Sequence, residues 1–206
     1  MIAAIMCGGK GSRMQDSRNI EKPLLKLNGK TMIELVLNAL VQSEKFRRIV
    51  AVTSYYTPMT KSYLTTNFSH DVDIIKTEGK GYSEDISIVL NTLKPARVFV
   101  VSADLPLLES KHVKRILSQI RREHNCTSVV CAKEFVIGLG IKPSITVCIN
   151  SAEYCHTGIS MIDSAKIHPD VSVVERYIII NQTGVAVNVN TRSDLEAAER
   201  LIMCHA

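Results

Sequence analysis

The sequence contains no tryptophan, and its four phenylalanines and six tyrosines make up only 5% of 206 residues. With so few aromatics interleaved among the basic residues, and no zinc-finger or RNP-type motif, nucleic acid is not an expected partner. Also missing is any run of about 18 consecutive apolar residues, which excludes a membrane-spanning helix. Cys-x-x-Cys pairs are absent too, so the six scattered cysteines read as thiols of a reducing compartment rather than a disulfide framework. The apolar start at residues 2–7 is too short for a signal-peptide core and has no basic leader. A cytoplasmic protein is therefore expected.

What is present suits one domain, expected to span residues 1–206. The chain is 46% hydrophobic and 22% charged, and at this length folding buries about 70% of the unfolded surface without help from disulfides or metal. The formal charge is +5, and most of the excess lies in residues 1–30. There Lys10, Arg13, Arg18, Lys22, Lys26 and Lys30 face only Asp16 and Glu21. A cluster of that kind suits a compact anion.

Apolar runs alternate with helical patterns along most of the chain. Residues 2–6, 48–53, 72–76, 98–102 and 127–131 read as short strands buried on both faces. Between them, Ile33, Val36, Leu37, Leu40 and Val41 share a helical face behind a Thr31–Glu34 capping box. Thr57-Pro58 opens a second helix, Ser83 is the expected cap of a third, and Val113, Ile116, Leu117 and Ile120 stripe a fourth. Thr191 and Asp194 start a last helix, through about residue 202. Such alternation predicts an α/β fold with a mostly parallel sheet and helices on both faces. Residues 133–183 break the rhythm with glycines, prolines and apolar runs at 146–149, 159–162 and 177–180. They are expected to form a strand-and-loop excursion over one edge of the sheet.

The first strand ends in Cys7-Gly8-Gly9-Lys10-Gly11-Ser12-Arg13-Met14, at the carboxyl end where open α/β sheets hold ligands. Gly8, Gly9 and Gly11 let backbone N–H groups approach an anion, and Lys10 and Arg13 add charge. The segment is neither a P-loop, for want of Gly-Lys-Ser/Thr at the required spacing, nor a dinucleotide fingerprint, since Met14 stands where the third glycine belongs. Glu21-Lys22-Pro23-Leu24-Leu25 follows, and Pro23 is expected to hold Lys22 extended. Two further segments stand at strand ends: Thr77-Glu78-Gly79-Lys80-Gly81-Tyr82-Ser83-Glu84-Asp85 and Ser102-Ala103-Asp104-Leu105-Pro106. Gly158-Ile159-Ser160 and Asn188-Val189-Asn190-Thr191 complete the set.

Gly-Gly-x-Gly-Ser-Arg-Met followed by Lys-Pro-Leu resembles the signature of nucleotidyltransferases that join a nucleoside triphosphate to a phosphate ester and release pyrophosphate. With the later segments, the chain resembles the archaeal type of GTP:adenosylcobinamide-phosphate guanylyltransferase. The resemblance implies a Rossmann-like nucleotidyltransferase fold, transfer of GMP onto a corrinoid phosphate in coenzyme B12 assembly, and Mg²⁺ as cofactor. It implies that Gly8, Gly9, Lys10, Gly11 and Ser12 wrap the triphosphate, that Arg13 clamps its β- and γ-phosphates, and that Lys22 neutralises the α-phosphate. Asp104, helped by Asn190, would hold Mg²⁺, a hard cation that prefers oxygen ligands. Gly158 would enter a strand facing the nucleotide.

Several assignments stay open. Glu78, Glu84 or Asp85 is expected to accept the paired N–H donors of guanine, yet each equally reads as an acid at a helix N-terminus. The backbone from Gly79 through Lys80 to Gly81 offers a second way to read the base. Asp104 reads otherwise as a turn residue before Pro106, Asn190 as a strand-end residue, and Gly158 as a plain turn glycine. Cys148, Cys155 and His156 lack metal-pair spacing and read as incidental. His112, His124, His168 and His205 are expected at the surface, as are Lys111, Lys114, Arg115, Arg121 and Arg122. A homodimer is compatible with the sequence. A molybdenum cofactor guanylyltransferase shares the loop, the Lys-Pro and the Asn-Val-Asn-Thr ending. A non-catalytic GTP-binding regulator is the alternative from another class, disfavoured by the intact Lys22, Asp104 and Asn190.

Overall fold

The computed structural model describes residues 1–9, 20–167 and 173–203. Strand β1 (Ile2–Met6) is followed by a single 3₁₀ turn, Lys22–Leu24, and by a small hairpin of β2 (Lys26–Leu27) and β3 (Lys30–Thr31). Then come α1 (Met32–Ser43), β4 (Arg48–Thr53), α2 (Pro58–Asn67), β5 (Asp73–Lys76), α3 (Tyr82–Thr92), β6 (Arg97–Ser102) and α4 (Ser110–Gln119). The second half holds β7 (Cys126–Ala132), α5 (Lys133–Gly138), β8 (Thr146–Ile149), β9 (Ala152–Asp163), β10 (Glu175–Ile179), α6 (Thr183–Ala186) and α7 (Arg192–Met203). No helix among the described residues is long and apolar enough to cross a membrane.

Both faces of the main sheet are apolar along β1, as its uninterrupted Ile-Ala-Ala-Ile requires. Ala3 and Ile5 pack on one side with Ile33, Val36, Leu37 and Leu40 of α1, Leu64 of α2, Val113 and Ile116 of α4, and Ala197 and Ala198 of α7. Ile2 and Ala4 pack on the other with Val89 and Leu90 of α3. Each fully buried side chain of this size contributes about 1.5–3 kcal/mol through removal from water. Helices therefore lie on both faces, but unequally: α3 is the only helix in the second cluster among the described residues.

Helix boundaries follow local chemistry. The Thr31 hydroxyl accepts from the Glu34 N–H at 3.3 Å, and α1 stops at Glu44, which is left-handed at φ 56°. At the start of α7, Thr191 Oγ1 accepts from the Asp194 N–H (3.2 Å), while the fully buried Asp194 carboxylate accepts from Thr191 N–H (2.8 Å) and Asn190 N–H (3.0 Å). Helix α3 begins one residue before Ser83, with Gly81 at the cap, so the expected Ser83 cap is not used. Lys22 is not extended either. It opens the 3₁₀ turn, because Pro23 fits the first turn of a helix and loses no needed N–H there; Glu21 is the extended residue.

The strand order is β10-β7-β9-β6-β1-β4-β5. Strands β6, β1, β4 and β5 run parallel, as do β7 and β10, whereas β9 is antiparallel to both of its neighbours. The expected excursion over one edge is corrected here. Residues 152–163 form an interior strand, with Ile159 and Met161 buried on one face and Ser160 and Ile162 on the other. Only β8, paired to β9 alone, hangs from it. His112 is corrected as well: it is buried, and its Nδ1 accepts from the Glu109 N–H at 3.0 Å, closing a capping box at the start of α4.

Candidate functional site

Parallel strands β1 and β6 are neighbours, so their carboxyl ends bring Gly8 and Asp104 to one place. A cavity of about 480 Å³ opens there. It is lined by Cys7, Gly8 and Gly9 after β1, Lys22 and Pro23 from the 3₁₀ turn, the Gly79–Lys80–Gly81 loop with Tyr82 and Asp85, Ser102–Asp104, and Asn190. Lys10, Gly11, Ser12 and Arg13 lie outside the described residues.

At its floor the Lys22 ammonium lies 2.5 Å from Asp104 Oδ2 and donates to Asn190 Oδ1 at 3.0 Å. Both partners of the ion pair are mostly buried, at 16% and 14% exposure. A carboxylate so removed from water needs a cation beside it, and Lys22 is that cation. Asn188 completes the cluster. One terminal atom of its amide lies 3.2 Å from both Asp104 oxygens and 2.8 Å from Asn190 Nδ2. As nitrogen it donates to the carboxylate; as oxygen it accepts from Asn190 and adds an oxygen to the carboxylate pair. The segment is held by the Val189 N–H, which donates to the Asp104 carbonyl at 2.9 Å.

The loop between β5 and α3 is fixed by close packing. Gly79 has φ +67°, and a Cβ there would stand 2.9 Å from Ser54 Cβ and from Tyr56; only glycine fits this bend. Its N–H donates to Oδ1 of the buried Asp85 at 3.2 Å. Ser54 ties the two loops together, its hydroxyl donating to the Gly8 carbonyl at 2.7 Å. The three candidate acids thus separate. Asp85 lines the cavity, while Glu78 and Glu84 are exposed. Glu78 pairs with Lys80 at the surface, and that bond lowers its pKa.

Gly158 lies beside the cavity rather than in its lining. It has φ +77°, and a Cβ would stand 2.9 Å from Ser102 Cβ and 3.4 Å from Asn188 Nδ2. It therefore backs the Asp104–Asn188 cluster and is no plain turn glycine. Cys7 stays a thiol, because burial first, then Asp104 and Glu21, raise its pKa. Glu21 reaches away from the cavity to the start of α2, accepting from the Met59 N–H (2.7 Å), the Thr60 N–H (2.6 Å) and the Thr60 hydroxyl (2.6 Å). It anchors the turn that carries Lys22.

Ser54, Asn188, Tyr82 and Glu21 were not foreseen as site residues. Asn188 had a signal: in an extended Asn-Val-Asn segment the two amides share one face, with the fully buried Val189 on the other. Tyr82 belongs to the strand-end segment from Thr77 to Asp85 that the sequence marks out, though not by its own side chain, and Ser54 has no sequence signal. The arrangement offers backbone groups to an anion, one buried cation to neutralise it, and a hard-oxygen set (the Asp104 carboxylate with the Asn188 and Asn190 amides) of the chemistry Mg²⁺ prefers.

Residues 3–163 match the family described as the MobA-like NTP transferase domain. The chain is 32% identical over 204 residues to the adenosylcobinamide-phosphate guanylyltransferase of Methanocaldococcus jannaschii, covering 98% of this chain and 97% of that protein. It is 32% identical over 138 residues to a probable molybdenum cofactor guanylyltransferase of Thermococcus sibiricus, covering 67% of this chain and 64% of that one. A solved CMP:2-keto-3-deoxy-manno-octonic acid synthetase complexed with CTP has a TM-score of 0.70 at 14% identity, covering 100% of this chain and 99% of that one. A transferase structure from Thermus thermophilus gives 0.68 at 17%, covering 94% and 98%. At such identities the likeness concerns the fold, which is the Rossmann-like α/β nucleotidyltransferase fold.

Proposed function

The chain belongs to the MobA-like NTP transferase family and is a nucleotidyltransferase, and from that premise we propose that it transfers GMP from GTP to adenosylcobinamide phosphate, releasing pyrophosphate. The observation that carries the reaction is the Lys22–Asp104–Asn190 cluster at the floor of a cavity bordered by glycine loops. The corrinoid acceptor is supported by the higher identity along nearly the whole chain, 32% against 24% for a probable molybdenum cofactor guanylyltransferase of Natranaerobius thermophilus that covers 97% of it.

In this reading a phosphate oxygen of the acceptor attacks the α-phosphorus of GTP in line with the leaving pyrophosphate. The acceptor is already an anion near neutral pH, since the second pKa of a phosphate monoester is about 6, so no strong general base is needed. Catalysis rests on position and charge. Gly8 and Gly9, with Lys10, Gly11, Ser12 and Arg13, hold the triphosphate. Lys22, held on Asp104 in the structure, is shared with the α-phosphate as charge builds there. Asp104 with Asn188 and Asn190 would hold Mg²⁺, which supplies further neutralisation of the triphosphate when bound. Asp85, with one oxygen committed to Gly79, reads the guanine N–H donors together with the backbone of Gly79 and Gly81.

The test is pyrophosphate release from GTP with adenosylcobinamide phosphate as acceptor. Turnover with that acceptor and none with molybdopterin supports the proposal. Turnover with molybdopterin alone overturns the corrinoid assignment, and GTP binding without turnover on either acceptor overturns the enzyme reading in favour of a regulator.

A further inference from the structure

The two amides beside Asp104 stand on a short segment that begins with α6. Within it the Val187 N–H donates to the Thr183 carbonyl at 3.1 Å, and the Asn188 N–H donates to the Ala186 carbonyl at 3.1 Å. Residues 183–188 are thus tied into one piece. The upstream end is fixed on β7, where the Ile180 N–H donates to the Val130 carbonyl at 2.9 Å. Downstream, Val189 holds the Asp104 carbonyl, and the Asn190 N–H is bound to the buried Asp194.

Gly184 makes a further contact. It is buried in α6, and a Cβ there would overlap Cε1 and Nδ1 of His112 and the Leu107 carbonyl oxygen. Glycine is a weak helix former, so the close approach is what calls for it. Neither neighbour yields easily. Leu107 offers backbone, and the buried His112 ring is held by the Glu109 N–H on its Nδ1. The stretch from Asp104 to His112 is therefore gripped twice by the same segment, by Val189 at one end and by Gly184 at the other. One point of attachment would leave the segment free to pivot, whereas two fix its tilt. That tilt sets the reach of Asn188 to the Asp104 carboxylate and of Asn190 to Lys22.

We propose that Gly184, seated on His112 and the Leu107 carbonyl, is a positioning residue for transfer: it sets where Asn188 and Asn190 stand around the Lys22–Asp104 pair. Gly184, His112 and Leu107 all lie outside the lining of the cavity, so their effect reaches the reacting atoms only through the segment. A misplacement of about 1 Å among groups that position a reacting centre costs about a hundredfold in rate. The proposal rests on the guanylyl-transfer reading above and adds to it the device that holds the amides in place.

The experiment compares the parent with Gly184→Ala, His112→Ala and His112→Asn. Its readouts are steady-state pyrophosphate release with adenosylcobinamide phosphate or, failing that, molybdopterin; metal-free GTP affinity by calorimetry; urea midpoints; and the side-chain amide signals of Asn188 and Asn190 in ¹H–¹⁵N spectra. Gly184→Ala is expected to lower kcat about a hundredfold and to move both amide signals, with acceptor KM and GTP Kd within about threefold of the parent. His112→Asn keeps an oxygen for the Glu109 N–H, so it should regain the urea midpoint lost in His112→Ala while kcat stays about tenfold down. Parental kcat and amide signals in folded Gly184→Ala overturn the proposal while the transfer reaction stands, as does a loss confined to GTP Kd or acceptor KM. If Gly184→Ala does not fold, the His112 pair decides: recovery of kcat along with the urea midpoint in His112→Asn makes the ring a helix cap alone and overturns the seat. If the parent turns over neither acceptor, the transfer reading falls by itself, and the amide signals alone uphold or overturn the positioning.

Discussion

On the β5–β4–β1–β6 side of the sheet, Ala4, Val50, Val52, Val98 and Val100 face helix α3; on the β9–β7–β10 side the same face carries Ser160, Ser128, Tyr177, His156 and Glu175. Both halves are equally apolar on the opposite face, where Phe99, Val101, Val129, Cys131, Ile159 and Met161 join one core. Parallel strands need both faces covered, whereas antiparallel pairing tolerates a wetted one. The single antiparallel strand β9 stands where the one pattern gives way to the other. The glycine loops that border the cavity belong to the fully covered half, and the hydrogen-bonding side chains to the other.

The sharpest way to break that division is at the junction of β1 and β6. Lys22→Ala and Asp104→Asn should each lower turnover by about a hundredfold or more, the scale of one lost charge-stabilising group, with native circular dichroism. Asp104→Asn should also raise the Mg²⁺ concentration needed for half-maximal rate. Turnover within twofold of the parent in both variants would move the chemistry elsewhere.

At the seam itself, Gly158→Ala should lower the free energy of unfolding by about 1–3 kcal/mol, since a left-handed backbone and the Ser102 side chain both oppose a Cβ. Urea titration measures this, and a loss below about 0.5 kcal/mol would show that β9 relaxes freely. Gly158→Asp, which adds a negative charge behind Asp104 and Asn188, should abolish transfer in protein that still melts cooperatively.

On the covered half, GTP should bind about tenfold more tightly than ATP, or roughly 1.4 kcal/mol by calorimetry. Adenine puts an acceptor at N1 where guanine has a donor, leaving the Asp85 carboxylate opposed rather than paired. Equal affinities would detach Asp85 from base choice. Glu21→Ala should cost about 1 kcal/mol by uncapping α2 and reduce kcat severalfold by loosening the turn under Lys22. An unchanged kcat would make Glu21 a helix cap alone.

The smallest effect expected is a pH dependence outside the cavity. Burial, with minor contributions from nearby charges, lowers the pKa of His112 below its ordinary 6.5. The unfolded chain therefore takes up a proton before the folded one does. The stability this imidazole contributes is present above about pH 6.5 and is lost as the pH falls from there toward the folded-state pKa. Urea midpoints from about pH 7.5 to 5 should fall more steeply for the parent than for His112→Gln, and parallel curves would refute the assignment.

Much of the covered half was legible in the sequence because its signals are local. Strands Ile2–Met6 and Arg48–Thr53 and the caps at Thr31 and Thr191 follow from apolar runs and Thr-x-x-acid spacings. The gathering of Gly8, Lys22, Gly79, Asp85, Asp104 and Asn190 around one cavity follows from strand ends. The rest depended on distance in sequence. That Ala152–Asp163 enters between β6 and β7 is a pairing choice no local period expresses. Glu84 and Asp85 are adjacent acids, yet a helix turns one out and buries the other. His112 read as a surface residue because an imidazole accepting from Glu109 N–H is an uncommon partner for a helix start.

The place of β9 also sets an order of events during synthesis. Until residues 152–163 have left the ribosome, β6 is a bare edge of mostly apolar residues, Val98 to Val101, the kind of edge that templates aggregation. The first half of the chain, though it carries the glycine loops, Lys22 and Asp104, is thus an unsafe fragment. The Asn188-Val189-Asn190 segment arrives later still, docking through the Val189 N–H on the Asp104 carbonyl. The Lys22–Asp104 cluster is accordingly finished late, just ahead of α7, and an incomplete nascent chain holds its acid and its lysine without the amides that complete it.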